Sequence, residues 1–383
     1  MNLTPEPNNY YPCPNPICLN QMFEPIDKYT PPETPDFIRD FPPARTFSKK
    51  GSFVWWWWMF LFEEDGVKKQ IVAYWTTKTY KNVDVNGVNW GPKAEIAGTP
   101  ENFTYNGMAT AWYFDGKDFL ELNPRNAVIS TVAGKDSMTV KSDDFDLAAD
   151  RKATKLRFRR DDFDLDIQFP TPVPPIVGYK RTLLTKRMGF DQQKIYHAYF
   201  SGKLVAKGES RELKGSVYMQ HICLNTPAVP WLWGVFHKDD GTYLTYFTTF
   251  VSRQIFRRNS KCKPKWDSKM KFLNKNLNYT PKGQATKKFK HVRYKVFRQE
   301  NGLPGFEVSG ELDGEKLRVK VITVAKTTYE FSRWKLWRNR FFYNEFPSKV
   351  IELEYTGKDG KVHRETGGDW NGNCEYSWGI LLN

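Results

Sequence analysis

The run KLRFRRDDFDLDIQF, Lys155 to Phe169, decides the fold class. Leu156, Phe158, Phe163, Leu165, Ile167 and Phe169 alternate with Lys155, Arg157, Arg159, Asp162, Asp164 and Asp166. A period of two sends successive side chains to opposite faces, so the run is a strand pair with one dry face and one charged face. A tight turn at Arg160-Asp161 sets Arg159 opposite Asp162, Arg157 opposite Asp164 and Lys155 opposite Asp166. Phe158 then meets Phe163, and Leu156 meets Leu165. Each cross-strand ion pair is worth about 0.2–1 kcal/mol. The same alternation recurs in Leu317, Val319 and Val321 between Arg318 and Lys320, and in Ile351, Leu353 and Tyr355 between Glu352 and Glu354.

Turn signals surround such runs. Asn-Gly begins at Asn86, Asn106, Asn301 and Asn371, and Asp-Gly at Asp65, Asp115, Asp240, Asp313 and Asp359. Two-residue hairpin loops need positive φ, which Gly accepts freely and Asn and Asp tolerate best. The expected fold is therefore all-β and antiparallel, a sandwich or a barrel. A length of 383 residues suits about two domains. Residues 1–50, proline-rich and aperiodic, are expected to wrap the surface as an irregular arm. A first β-domain is expected over 51–175 and a second over 176–383. The segment PTPVPP, Pro170–Pro175, serves as a linker or crossover, because proline donates no ladder hydrogen bond.

Several function classes are excluded. The sequence holds no G-x-S-x-G, G-x-x-x-x-G-K or G-x-G-x-x-G, which argues against serine hydrolase, kinase and dehydrogenase chemistry. No apolar run approaches the about 18–20 residues that span a bilayer, and the start MNLTPEPNNYYPCPNP lacks a basic region followed by an apolar one. A non-secreted, cytoplasmic chain is expected, at most peripheral to a membrane. Five cysteines, Cys13 and Cys18 among them, make no disulfide framework. The five histidines, His197, His221, His237, His291 and His363, include no pair at helical metal spacing. No metal and no cofactor is expected.

Charge is concentrated. Between Arg253 and Arg298 there are 16 Lys and Arg against Asp267 alone, which equals the whole chain's net charge of +15. Read as a basic insertion at 253–298 in the second domain, this segment points to an anionic surface such as acidic lipid headgroups; a solvated loop is the plain alternative. Nucleic acid is the weaker partner, since nothing resembles an RNA-recognition strand or a zinc finger.

Aromatic residues carry most of the functional signal. In GSFVWWWWMFLF, Trp55 and Trp57 face one side of a strand and Trp56 and Trp58 the other. One pair can pack between domains while the other lines a cavity. Further concentrations are Tyr218-Met219-Gln220-His221, Pro230-Trp231-Leu232-Trp233-Gly234, Tyr243 with Tyr246, and Glu375-Tyr376-Ser377-Trp378-Gly379. His221 shares its strand face with Met219, and Tyr218 shares the other with Gln220. His221 is expected to point inward.

These landmarks, with the Asp239–Phe247 stretch DDGTYLTYF, resemble the carotenoid 1,2-hydratase-like (hydroxyneurosporene synthase, or AttH-like) lipocalin superfamily over about Gly51 to Asn383. The resemblance implies two lipocalin-like antiparallel β-barrel or half-barrel domains packed together around an apolar ligand cavity. Relatives include carotenoid hydratases and fungal pericyclases. His221 matches the family's histidine, but Cys223 stands where tryptophan usually follows. Tyr246 matches the tyrosine after the D-G-T turn, but Phe247 and Thr248 stand where the hydratases place an aspartate. Hydrating an alkene needs an acid in a dry pocket and aromatic faces beside the cation, so Asp369 and Glu375 are the substitute acids to consider.

The leading expectation is an enzyme that binds a long apolar, isoprenoid- or polyene-like substrate between the two β-domains and hydrates, cyclises or isomerises it. His221 and Tyr246 would donate protons or hydrogen bonds. Trp56, Trp58, Tyr218, Gln220, Trp231, Trp233, Tyr376 and Trp378 would shape the cavity. The rivals are a lipid carrier docking on anionic membrane, which would hold an apolar or lipid ligand without chemistry, and a structural module with a filled core.

Overall fold

The computed structural model describes residues 35–41, 53–78, 83–91, 96–99, 101–185, 188–225, 228–252, 270–334 and 338–381. The chain enters through a one-turn helix, α1 (Phe37–Asp40). Strands follow: β1 (Phe53–Glu64), β2 (Val67–Lys78), β3 (Val83–Val85), β4 (Val88–Trp90), β5 (Ile96–Gly98), β6 (Asn102–Phe114), β7 (Phe119–Glu121), β8 (Arg125–Ala133), β9 (Ser137–Lys141), β10 (Phe145–Asp150), β11 (Ala153–Arg160), β12 (Phe163–Pro170), β13 (Val177–Thr185), β14 (Met188–Ala206) and β15 (Glu209–Asn225). The second series is β16 (Trp231–His237), β17 (Tyr243–Val251), β18 (Lys271–Thr280), β19 (Lys287–Arg298), β20 (Pro304–Leu312), β21 (Glu315–Thr323), β22 (Thr327–Trp334), β23 (Arg338–Thr356), β24 (Val362–Glu365), β25 (Asn371–Tyr376) and β26 (Trp378–Gly379).

Two antiparallel barrels result. The first runs β12-β11-β10-β9-β8-β6-β2-β1-β15-β14 and closes where β12 pairs β14. The second runs β21-β20-β19-β18-β17-β16-β25-β23 and closes where β21 pairs β23. Closure leaves these strands without a free edge. The sheets change after Asn225, whereas the sequence places a boundary at 175/176. Of the proline segment at 170–175, Pro170 ends β12 opposite Ala153 and the rest is a loop within the first barrel, because the long β14 pairs β13 along one half and β12 along the other. The β3–β4 hairpin crosses to β22 of the second sheet, with Val85 opposite Phe331.

The Lys155–Phe169 hairpin forms with a different register. Arg160 pairs Phe163, Arg159 pairs Asp164, Phe158 pairs Leu165 and Arg157 pairs Asp166, so the turn is Asp161-Asp162. Asp161 takes φ +54°, a conformation Asp tolerates far better than Arg. The shift spans two residues and leaves each face unchanged. It also lets Arg160 turn inward, where its guanidinium meets Asp144 at 2.5 Å and the Ala109 carbonyl at 3.0 Å. Arg157 and Arg159 both converge on Asp164.

Asp65-Gly66, Asn86-Gly87 and Asp313-Gly314 are hairpin turns with both residues at positive φ. Asn106-Gly107 and Asn371-Gly372 lie inside strands instead. A Cβ on Gly107 would stand 2.5 Å from Ile129 Cδ1 and 2.7 Å from the Thr76 carbonyl, so close packing, not turning, requires that glycine.

Three apolar clusters fill the molecule. The first barrel's interior holds Trp56, Trp58, Phe60, Trp75 and their neighbours. The second's holds Tyr246, Phe250, Tyr376 and Trp378. A third cluster, with Trp57, Met59, Tyr218, Trp233 and Phe341, lies between the barrels. Segment 35–41 does not wrap the surface as expected for the arm. Phe37, Ile38 and Phe41 are buried in the first barrel, where Phe41 sits 6.1 Å from Trp56 and Trp58 and its carbonyl accepts from Trp56 Nε1. Residues 1–34 and 42–50, Cys13 and Cys18 included, lie outside the described residues. β18 and β19 are staves of the second barrel, so 271–298 is no insertion; 253–269 lie outside the described residues. No helix among the described residues is long and apolar enough to cross a membrane.

Candidate functional site

The four consecutive tryptophans explain how the barrels meet. Alternation turns Trp56 and Trp58 into the first barrel and Trp55 and Trp57 out of it. Trp57 packs edge-on against Trp233 with centroids 5.4 Å apart and an interplanar angle of 87°. Two ladder rungs face each other there. Trp57, Gln220 and Lys194 line up across β1, β15 and β14. Trp233, Glu375 and Glu345 line up across β16, β25 and β23.

Glu345 and Glu375 are directly cross-strand and fully enclosed, with 0% and 3% of their surface exposed. The Tyr343 hydroxyl contacts both, at 2.8 Å from Glu375 Oε1. Trp231 Nε1 donates to Glu375 Oε2. Asn373 Nδ2 donates to Glu345 Oε2, while Asn373 Oδ1 accepts from Gln70 Nε2 of the first barrel at 3.0 Å. Burial, and then the neighbouring carboxylate, push Glu345 well above the usual carboxylate range, and burial lifts Glu375 to about 7. Two like charges cannot both ionise cheaply in a dry site, so the pair keeps a proton at neutral pH. Lys194 is half-buried near Glu375. Burial, with repulsion from Lys180, brings its ammonium down to about 8.

The interface is closed around this pair but not sealed. Trp55, Leu224, Trp231, Phe247 and Tyr343 stay half-exposed on it, and two of them, Trp231 and Tyr343, touch the carboxylates. The arrangement holds a neutral carboxylic acid in an apolar setting, in contact with the half-exposed Trp231 indole.

The expected site residues fall into four places. Trp231, Trp233, Tyr218, Gln220 and Glu375 come together at the inter-barrel interface. His221, Trp56 and Trp58 lie inside the first barrel, on the far side of its wall. His221 points inward as expected, stacked on Trp56 at 4.7 Å and 8°, and burial lowers it to about 3, so it is a neutral ring at pH 7. Tyr246, Tyr376 and Trp378 lie inside the second barrel, where the Tyr246 hydroxyl sits 2.9 Å from Cys374 Sγ. Gly234 lets that ring approach: a Cβ there would stand 2.4 Å from Tyr246 Cζ. Asp369 is exposed in a turn after β24. The aromatic residues expected to shape one cavity between the two domains are therefore divided: Trp56 and Trp58 pack inside the first barrel, Tyr376 and Trp378 inside the second, and Tyr218, Trp231 and Trp233 in the cluster between them.

Glu345, Tyr343, Lys194, Asn373 and Gln70 were not singled out by sequence. A carboxylate within the aromatic run FFYNEF, Phe341–Phe346, is the one signal that marks Glu345. Among the described residues no three His, Cys, Asp or Glu side chains converge as a metal site.

No protein-family model and no curated protein sequence matches the chain. Among solved structures, it is similar to an AttH-assigned protein of Nitrosomonas europaea at 14% identity, with 91% of this chain and 98% of that one covered and a TM-score of 0.52. A kievitone hydratase from Nectria haematococca aligns over 88% and 90% of the two chains at 12% identity, with a TM-score of 0.37. At such identities the first likeness speaks for the fold: two lipocalin-like barrels in one chain.

Proposed function

We propose that this protein is an acid-catalysing enzyme that holds an apolar, isoprenoid- or polyene-like molecule in the inter-barrel cleft. The observation that carries the reading is the buried Glu345–Glu375 pair, which retains a proton beside half-exposed indoles. The neutral acid of the pair protonates an alkene carbon, and the faces of Trp231 and its neighbours steady the resulting cation. Water capture followed by proton loss to the carboxylate left behind gives hydration, attack by a second alkene followed by the same proton loss gives cyclisation, and direct proton loss from the first cation gives isomerisation. Trp231 Nε1 and the Tyr343 hydroxyl orient Glu375, while Asn373 orients Glu345. His221 serves the first barrel's packing.

Deuterium uptake tests this. In D2O the protein, offered a panel of isoprenoid alkenes that quench its tryptophan fluorescence, should introduce carbon-bound deuterium detectable by mass spectrometry. Glu375→Gln should lower that uptake by a factor of about 100 or more, the usual scale of a proton-transfer group. Alkenes that bind yet gain no deuterium from the parent protein would end the enzymatic reading.

The exposed bases of β18 and β19, among them Lys271, Lys275, Lys288, Lys290, Arg293 and Lys295, favour a second reading, a lipid carrier docking on anionic membrane. Binding to vesicles rich in phosphatidylserine should then weaken steeply as salt rises. Absent or salt-independent binding would remove it.

A further inference from the structure

β14 pairs β12 only as far as Ser201 opposite Gln168, and on the same side its ladder with β13 begins at Ile195 opposite Val177. Between these two ladders the wall of the first barrel parts. A cavity of about 700 Å³ lies in the opening, walled by Phe62, Phe169, Pro170 and Phe200 and edged by Lys152 and Lys214. That volume is within the range of small-molecule sites, about 300–1,000 Å³.

The edge is cationic and the floor is apolar, though Phe62, Phe169 and Phe200 expose only 4%, 2% and 4% of their surface there. Lys152 and Lys214 are exposed, and neither forms an ion pair among the described residues. Of the acids that line the opening, Glu63 is matched by Lys68, which leaves Asp239 against the two lysines; its carbonyl accepts from the Tyr199 hydroxyl at 2.9 Å. The Ser216 hydroxyl, also on the lining, lies 2.8 Å from His237 Nδ1, and His237 packs on His197 at 4.4 Å. Ser216 stands four residues from Gln220 along β15, about 13 Å from the cleft's rung at strand spacing.

We propose that this opening is a second ligand site, which takes an amphipathic carboxylate: its chain lies on Phe62, Phe169 and Phe200, and its head group meets Lys152 and Lys214. The occupant is a small monoanion with a flexible apolar tail. The site is independent of the Glu345–Glu375 reading.

Fluorescence titration of the full chain with 11-(dansylamino)undecanoic acid tests it. The parent protein should bind at low salt. Lys152→Ala/Lys214→Ala should weaken binding about tenfold, as expected for loss of charge-assisted contacts. Ala153→Trp should block the opening and abolish binding. The same probe capped as its primary amide should bind the parent as weakly as the acid binds the lysine variant. Glu345→Gln/Glu375→Gln should leave affinity unchanged. No binding by the parent, or unchanged affinity in the lysine variant, would overturn the proposal. Binding lost only in the glutamine pair would also overturn it, by placing the probe in the cleft. The lysine pair is on the surface, so its result stands even if Ala153→Trp fails to fold.

Discussion

Glu345→Gln/Glu375→Gln should be more stable than the parent protein at pH 8, and the two should converge near pH 5. A carboxyl raised by folding binds its proton in the native state at pH values where the unfolded chain has released it. The parent's unfolding free energy therefore falls as pH climbs from about 4.5 through about 7, the ordinary and folded values for Glu375. For Glu375 alone the loss is on the order of 3 kcal/mol, and Glu345 shifts in the same direction. Glutamine keeps an oxygen to accept from Tyr343 and Trp231 but carries no charge to bury, so its stability curve lacks this slope. Histidine works in the opposite sense. Burial lowers His221, His237 and His197, so their contribution is complete above about 6.5 and is lost as pH falls below it. Urea unfolding of both proteins at steps from pH 5 to 9 measures the difference. Parallel curves would show that the carboxyl pair is not held protonated, and the acid reading would lose its footing.

Trp56→Ala should cost about 3–5 kcal/mol, the scale of a large ring deleted from a filled core, whereas Trp55→Ala should cost about 1 kcal/mol or less. Trp56 is fully buried. It stacks on His221 and on Trp75 at 5.9 Å and donates its N–H to Phe41. Its removal opens a void and loosens segment 35–41 together. Trp55 is half-exposed at the edge of the inter-barrel cluster, so its loss should appear in ligand affinity more than in stability. Chemical denaturation of the two single variants checks the pair; equal costs would contradict the alternation on which the two-compartment description rests.

The strand content was legible because period-two patterning is local: the apolar core-facing positions of β11 and β12, Leu156, Phe158, Phe163, Leu165, Ile167 and Phe169, can be read directly. The sorting of the tryptophan run into two faces was legible for the same reason. The hairpin register was not, since it was decided by Asp161 accepting a left-handed backbone and by Arg160 reaching Asp144, a residue outside the hairpin. Nor was the boundary between the barrels. A proline-rich loop looks the same whether it links domains or joins two strands of one barrel, and the pairing of β14 with β12 is a contact between distant parts of the chain.

Taken alone, the amino-acid sequence determined an antiparallel β-protein with indole-rich faces and a strongly basic stretch, because side-chain alternation and turn chemistry act between near neighbours. Tertiary structure alone decided which aromatic rings fill barrels and which pack between them. It also decided that Glu375 acquires Glu345 as its partner while His221 is left on the other side of a wall. Those outcomes depend on strand register across a sheet, where residues 30 positions apart become neighbours, and on burial, which turns two ordinary glutamates into a pair that holds its proton.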